Sequence, residues 1–199
     1  MLVPKRNFKR GFTLVELLVT ISIFAILTGV VLFNQQKFNS TILLTNLAYD
    51  TALTIRQAQT YGVNIKEFDS GGGSQFVPYG VHFDISETNK SFILFADINN
   101  ENKYSESLTT CNMQDGCVNR YDIKRGNYIF DIKVTNNGVE SSVSKLDIIF
   151  KRPNPDAIIN SKGDSEYKNC VKVEIFLRGA DGSQRTVVVQ SNGLIEIVN

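Results

Sequence analysis

Residues 9–36 read Lys9-Arg10-Gly11-Phe12-Thr13-Leu14-Val15-Glu16-Leu17-Leu18-Val19-Thr20-Ile21-Ser22-Ile23-Phe24-Ala25-Ile26-Leu27-Thr28-Gly29-Val30-Val31-Leu32-Phe33-Asn34-Gln35-Gln36. The run from Phe12 to Phe33 spans 22 residues and holds a single charge, Glu16. As a helix it measures about 33 Å, enough to cross the hydrocarbon core of a bilayer. Lys5, Arg6, Lys9 and Arg10 precede it with no acid among them. The positive-inside rule then keeps the N-terminus in the cytoplasm and sends the remainder outward. Gly29 reads as an ordinary membrane-helix glycine.

An ordinary signal peptide does not account for this stretch. The apolar run exceeds a usual signal core, and Leu32-Phe33-Asn34 is a poor small-x-small cleavage site. A plain anchor leaves Glu16 unexplained. An ionised carboxylate in the apolar run is costly to insert unless it is paired or near the interface, so it calls for a partner.

The stretch Lys9-Arg10-Gly11-Phe12-Thr13-Leu14-Val15-Glu16-Leu17-Leu18 resembles the processing site of type IV prepilins and type II secretion pseudopilins. The resemblance implies that a membrane peptidase cuts between Gly11 and Phe12 and that the new amine of Phe12 is methylated. Glu16 then becomes the fifth mature residue. The physics of the motif agrees. Gly11 lets an extended peptide enter a narrow protease site. Cleavage removes four leader cations and creates one ammonium, which Glu16 of a neighbour or of the same chain can pair. Such pairing in a heterologous interface builds filaments rather than closed rings. The implied partners are other pilin or pseudopilin subunits, the prepilin peptidase, an inner-membrane assembly platform and membrane lipid.

From Thr41 the pattern stays helical and turns amphipathic. Leu44, Leu47, Ala48, Thr51, Ile55, Ala58 and Gly62 recur at intervals of three and four. No proline lies between Phe12 and Gly62. One helix of about 50 residues is expected, ending near Tyr61-Gly62 because glycine is favoured just past a helix. The segment Asn46–Val63 resembles the GspH/FimT branch of pseudopilins, with Arg56 and Ala58 in comparable places. Arg56 is expected to be solvated or paired with a body carboxylate.

Beyond Gly62 the signals are strands and turns. Strands are expected at 76–85, 92–96, 128–134, 145–150, 171–177, 185–189 and 194–198, several alternating apolar with polar residues. Asn136-Asn137-Gly138, Ala180-Asp181-Gly182 and Ser191-Asn192-Gly193 are turn signals. Arg152-Pro153-Asn154-Pro155 and its neighbours through Lys162 read as a mildly basic loop. The expected architecture is α+β and pilin-like: a long N-terminal helix packed on a mostly antiparallel sheet body. Its divisions are a leader at 1–11, a membrane and assembly half of the helix at 12–36, an amphipathic half at 37–62, and an extracytoplasmic β-rich body at 63–199.

The candidate chemistry is sparse. The 199 residues hold 21 Lys and Arg against 20 Asp and Glu, with one His and three Cys. Common zinc spacings are absent. Gly71-Gly72-Gly73-Ser74 lacks the Lys-Ser/Thr ending of a phosphate loop. His82 falls on the expected polar face of its strand, with no nucleophile arranged around it, so no catalytic activity and no cofactor are expected. Asp97, Asn99 and Glu101 alternate as calcium ligands can, yet Asn102 stands where an EF-hand needs glycine and no twelfth-position Glu closes the loop. That segment reads first as a structural turn. Cys111 and Cys117 enclose five residues including Gly116 and are candidates for a disulfide outside the cytoplasm, with Cys170 left over or an alternative partner. Without the leader, 17 basic residues face 20 acidic ones, and no Lys or Arg follows Arg185. Phosphate contacts need such cations, so no nucleic-acid partner is expected. The expected role is a structural, minor subunit of a pilus or secretion pseudopilus. A surface ligand-binding minor pilin, serving DNA uptake or adhesion, is the alternative.

Overall fold

The computed structural model describes residues 11–64, 66–69, 73–104, 106–162 and 166–198. Leader residues 1–10 and Gly71-Gly72 of the glycine-rich loop lie outside them. Helix α1 spans Leu14–Val63, 50 residues. The chain divides into two compact units, residues 1–39 and 40–199.

In the first unit, Leu14–Leu32 form a stretch of 19 residues long and apolar enough to cross a membrane, with none of it buried in the chain. Its polar side chains turn inward on the backbone. Thr20 Oγ1 donates to Leu17 O at 2.9 Å, Ser22 Oγ to Leu18 O at 2.8 Å and Thr28 Oγ1 to Phe24 O at 2.8 Å. Each hydroxyl is thereby satisfied without water, as a lipid surrounding requires.

Among its described residues the second unit contains the last turns of α1 and thirteen strands: β1 (Glu67–Asp69), β2 (Ser74–Phe76), β3 (Tyr79–Asp84), β4 (Ser91–Ala96), β5 (Cys117–Asp122), β6 (Tyr128–Asn136), β7 (Val139–Ser142), β8 (Lys145–Phe150), β9 (Ala157–Lys162), β10 (Glu166–Tyr167), β11 (Lys172–Arg178), β12 (Gln184–Gln190) and β13 (Ile195–Val198). They form a six-stranded sheet ordered β10-β9-β8-β3-β4-β5, a five-stranded sheet ordered β13-β12-β11-β6-β7, and the small ribbon β1-β2. Every pairing is antiparallel. The architecture is α+β, with an N-terminal apolar helix followed by an antiparallel β body.

One apolar cluster joins α1 to both sheets. Leu44, Leu47, Ala48, Ala52, Ile55 and Ala58 of the helix are buried with Val81, Phe83 and Ile148 of the larger sheet and Ile132, Ile175 and Val187 of the smaller. Two threonines share that helix face, and their hydroxyls bond the preceding turn: Thr51 to Leu47 O and Thr54 to Asp50 O, both at 2.8 Å. Gly62 is not a terminal cap. The helix continues to Val63, and a Cβ at Gly62 would stand 2.3 Å from the Phe150 carbonyl oxygen of β8. Glycine is there because helix and strand touch.

Other expectations need correction. The antiparallel body is divided between two large sheets and a small ribbon, a division that the strand pattern alone does not give. The expected strand at 76–85 is interrupted at Val77-Pro78, since proline cannot donate to a ladder. The expected loop through Lys162 ends before Ala157, where β9 begins as the neighbour of β8. Pro153 lies in a turn, and Pro155 in the irregular stretch that leads into that strand. Strands β5 and β7 were not foreseen, because Val118-Asn119-Arg120 and Val139-Glu140-Ser141 carry too little apolar alternation to stand out. At the β6–β7 hairpin Asn137 and Gly138 both adopt positive φ, 50° and 80°, as a two-residue type I′ turn requires.

The larger sheet is covered on both faces. Every residue of β3 and β4 is buried. Its second face packs Ile93, Phe95, Ile149 and the β5 residue Cys117 against Tyr104 and Leu108 from the segment after β4. Asp84 lies on that face, where Lys145 Nζ approaches its Oδ2 at 2.5 Å. Burial alone would raise the Asp84 carboxyl. The Lys145 ion pair, the Ser86 hydroxyl and the Glu87 amide outweigh it and hold the group below its ordinary 3.8.

Truncating the shared cluster should be costly: Ile55→Ala should destabilise the body by about 2–5 kcal/mol. Gly62→Ala should also destabilise it, by forcing α1 away from β8. Denaturant melts of the full chain in detergent, read by circular dichroism, check both. Asp84 contributes stability above its unfolded pKa, lost as pH falls through the lower folded value. Lys145→Met removes the chief lowering interaction, so acid unfolding should begin at a higher pH than in the parent chain.

Candidate functional site

Gly11, Phe12 and Thr13 precede α1 in irregular, exposed backbone. A Cβ at Gly11 would meet nothing within 4 Å. Thr13 starts the helix: its Oγ1 accepts from the Glu16 amide at 3.2 Å, and its carbonyl accepts from the Leu17 amide at 3.1 Å. Thr13-x-x-Glu16 is the spacing of a capping box, a local signal that marks Thr13 as the helix start from sequence. Glu16 sits in the first helical turn, where the helix dipole favours an acid. Among the described residues its carboxylate has no hydrogen bond or ion pair. Phe12 is 70% exposed. The cleavage candidates Gly11 and Phe12 and the assembly candidate Glu16 thus share one short segment at the helix start.

The calcium candidates do not converge. Asp97 is buried, whereas Asn99 and Glu101 are exposed. Asp97 Oδ1 accepts from the Glu101 amide at 3.1 Å and Oδ2 from the Asn102 amide at 2.9 Å. Asn100 and Asn102 both take φ of 54°, which asparagine tolerates better than most residues. The carboxylate organises a turn. Burial pushes its pKa up against the lowering effect of the two amides. Glu101 instead pairs with Lys103 at 3.0 Å. Among the described residues, no three His, Cys, Asp or Glu side chains form a group able to hold a metal ion.

Cys111 and Cys117 are joined in a disulfide with their Cα atoms 5.2 Å apart. The ring encloses a single 3-10 turn, Met113–Asp115, capped by Asn112 Oδ1 accepting from the Gln114 amide and closed by Gly116 at φ 84°. Cys170 is free and buried, and burial pushes its thiol pKa up.

His82 is not on a polar surface. It is 3% exposed, with Nδ1 at 2.7 Å from Asp147 Oδ1. The same oxygen accepts from the Tyr104 amide at 3.0 Å. Strand alternation placed His82 correctly on the face opposite Val81. It could not show that the 97–116 segment covers that face. Arg56 is exposed, and its Nη2 donates to Ile195 O at 3.1 Å, a backbone carbonyl of β13 rather than a carboxylate.

A family model for the prokaryotic N-terminal methylation motif matches residues 6–32. No curated protein and no solved structure matches the chain significantly. The match spans Gly11, Phe12, Glu16 and the apolar stretch of α1. It supports a pilin or pseudopilin subunit of type IV pili or secretion systems, anchored by one N-terminal apolar helix. The motif implies association with other pilin subunits and with prepilin peptidase in general. Residues 6–32 of this chain carry the prokaryotic N-terminal methylation motif of type IV prepilins and pseudopilins.

Proposed function

We propose that the chain is a prepilin-type precursor whose residues 1–11 are cut away and whose new terminal Phe12 amine is methylated. It is then built, as a minor structural subunit, into a type IV pilus or a type II secretion pseudopilus. Residues 12–36 act as the membrane and assembly half of the helix and 37–62 as its amphipathic half. Residues 63–199 form the body outside the cytoplasm. The observation that carries this reading is the methylation motif, which lies across the start of an apolar helix.

The physical chemistry supports each step. The Gly11–Phe12 peptide precedes α1, so a protease can bind it extended without unwinding the helix. Among the described residues nothing occupies the space a Gly11 side chain would take, so a demand for glycine is met by the protease rather than by packing within the body. Glu16 has no partner among the described residues, and the ammonium freed at Phe12 is the missing opposite charge. The Cys111–Cys117 disulfide fits a body on the oxidising side of the membrane.

Mass spectrometry of the protein recovered from its native membrane should find a chain that begins at methylated Phe12. A chain beginning at Met1 would refute processing. Glu16→Ala should insert into membranes at parental levels yet fall at least tenfold in sheared filament fractions; normal incorporation would sink the assembly role.

A further inference from the structure

Four places in the sequence set glycine directly after an Asn or Asp: Asp115-Gly116, Asn137-Gly138, Asp181-Gly182 and Asn192-Gly193. At such pairs the glycine amide nitrogen can attack the side-chain carbon of the residue before it, because no Cβ shields the approach. The nitrogen must first give up its proton, so a hydrogen bond that already holds this N–H opposes the step. Three of the four amides are held. Gly116 N donates to Met113 O at 3.1 Å, Gly182 N to Gly179 O at 3.0 Å and Gly193 N to Gln190 O at 2.9 Å. Asn192 is restrained further: its Oδ1 accepts from the Leu194 amide at 3.0 Å, and Gln59 Nε2 donates to the Gly193 carbonyl at 3.0 Å. A Cβ at Gly193 would stand 2.3 Å from Pro155 O, so packing closes that turn.

Asn137-Gly138 differs in each respect. Both residues are exposed at the tip of the β6–β7 hairpin, and a Cβ at Gly138 would meet nothing within 4 Å. Among the described residues neither the Gly138 amide nor the Asn137 side chain makes a hydrogen bond. The turn explains the free amide: Asn136 is the register partner of Val139, which leaves the two tip residues outside the ladder. None of the four residues of β7 is buried, so the tip can flex without disturbing the core. We infer that Asn137 is a site of spontaneous deamidation in the folded chain, with hydroxide and water as the only reagents. Hydroxide takes the Gly138 amide proton, the nitrogen bonds to Asn137 Cγ, and the Cγ–Nδ2 bond breaks to release ammonia, which leaves with a proton from water. Water then opens the five-membered imide. Attack at Cγ gives aspartate; attack at the main-chain carbonyl gives isoaspartate, whose backbone runs through Cβ and Cγ. Nothing is oxidised or reduced. Either product adds a negative charge near Glu140. The two-residue turn fits the strand twist because Asn137 and Gly138 take positive φ, 50° and 80°. The extra backbone atom of isoaspartate spoils that fit, so β7 loses its pairing with β6 while the core, to which β7 gives no buried side chain, stays folded. The chemistry requires neither processing nor assembly.

The test ages the full chain in detergent micelles in warm, mildly alkaline buffer, beside a sample kept unfolded in denaturant. Tryptic peptides 134–145 and 186–199 carry the two Asn-Gly pairs, and electron-transfer fragmentation separates isoaspartate from aspartate in each. In the folded chain Asn137 should deamidate at least tenfold faster than Asn192; in the unfolded sample the two should convert at similar rates. An intact Asn137 or equal rates in the folded chain would overturn the inference. So would the same preference in the unfolded sample, which would make it a matter of sequence alone. Hydrogen exchange of the aged chain, read by mass spectrometry, should be at least tenfold faster across Val139–Ser142 than in fresh chain and unchanged in β11 and β12. Asn137→Asp, which carries the new charge on an ordinary backbone, should exchange as the parent does. Unchanged exchange in the isoaspartate form, or equally fast exchange in Asn137→Asp, would refute the loss of pairing through a lengthened turn.

Discussion

The face of α1 from Leu44 to Gly62 is the surface on which both sheets close. Its side chains are small or branched, and they enter a cluster that also holds the inner faces of the six- and five-stranded sheets. Burying a Leu or Ile contributes about 1.5–3 kcal/mol. The helix therefore supplies a large part of the core without belonging to either sheet. Polar residues at its margin tie it to the surrounding loops. Gln59 Nε2 donates to Pro155 O at 2.9 Å and to Gly193 O at 3.0 Å, and Tyr121 donates its hydroxyl to Gln57 at 3.3 Å. At Gly62 the helix approaches β8 so closely that any side chain would collide with a carbonyl oxygen.

The segment between β4 and β5 depends on a different chemistry. It is largely without regular structure, so its amides cannot be satisfied by a ladder. Acceptor side chains take that role. Asp97 receives the Glu101 and Asn102 amides, Asp147 the Tyr104 amide, and Glu87 the Leu108 amide and the Ser107 hydroxyl. Asn160 completes the set by donating to Asn102 O at 2.9 Å. These bonds hold the segment over the second face of the larger sheet, and they explain why His82 and Asp147 are buried as a pair.

The N-terminal stretch obeys a simpler rule. Where water is absent, every polar group must find a partner nearby. Threonine and serine hydroxyls in α1 do so within the previous turn, and Thr13 does so for the first amides of the helix. Glu16 is the exception among the described residues. In the assembly we propose, the ammonium freed at Phe12, of a neighbour or of the same chain, would supply that match.

Much of this protein was legible from local pattern alone. The apolar run, the leader charges and the Gly11-Phe12-Thr13-Leu14-Val15-Glu16 motif depend only on neighbours in sequence. Leu44, Leu47, Ala48, Thr51, Ile55 and Ala58 declared their face through helical spacing, and all of them are buried. Val171-Lys172-Val173-Glu174-Ile175 announced a half-buried strand by alternation, apart from Val171 itself, which lies exposed ahead of β11. What failed were inferences that need distant partners. Whether Gly62 caps a helix or admits a strand depends on Phe150. Whether Ala157–Lys162 is loop or strand depends on the free edge of β8. Whether His82 meets water depends on a covering segment that starts fifteen residues later. Local sequence determined which segments could be helix, strand or membrane span, because periodicity is a property of the chain itself. Only the tertiary structure decided which faces were covered and which polar atoms were left without partners, because burial is set by what packs against a residue from elsewhere.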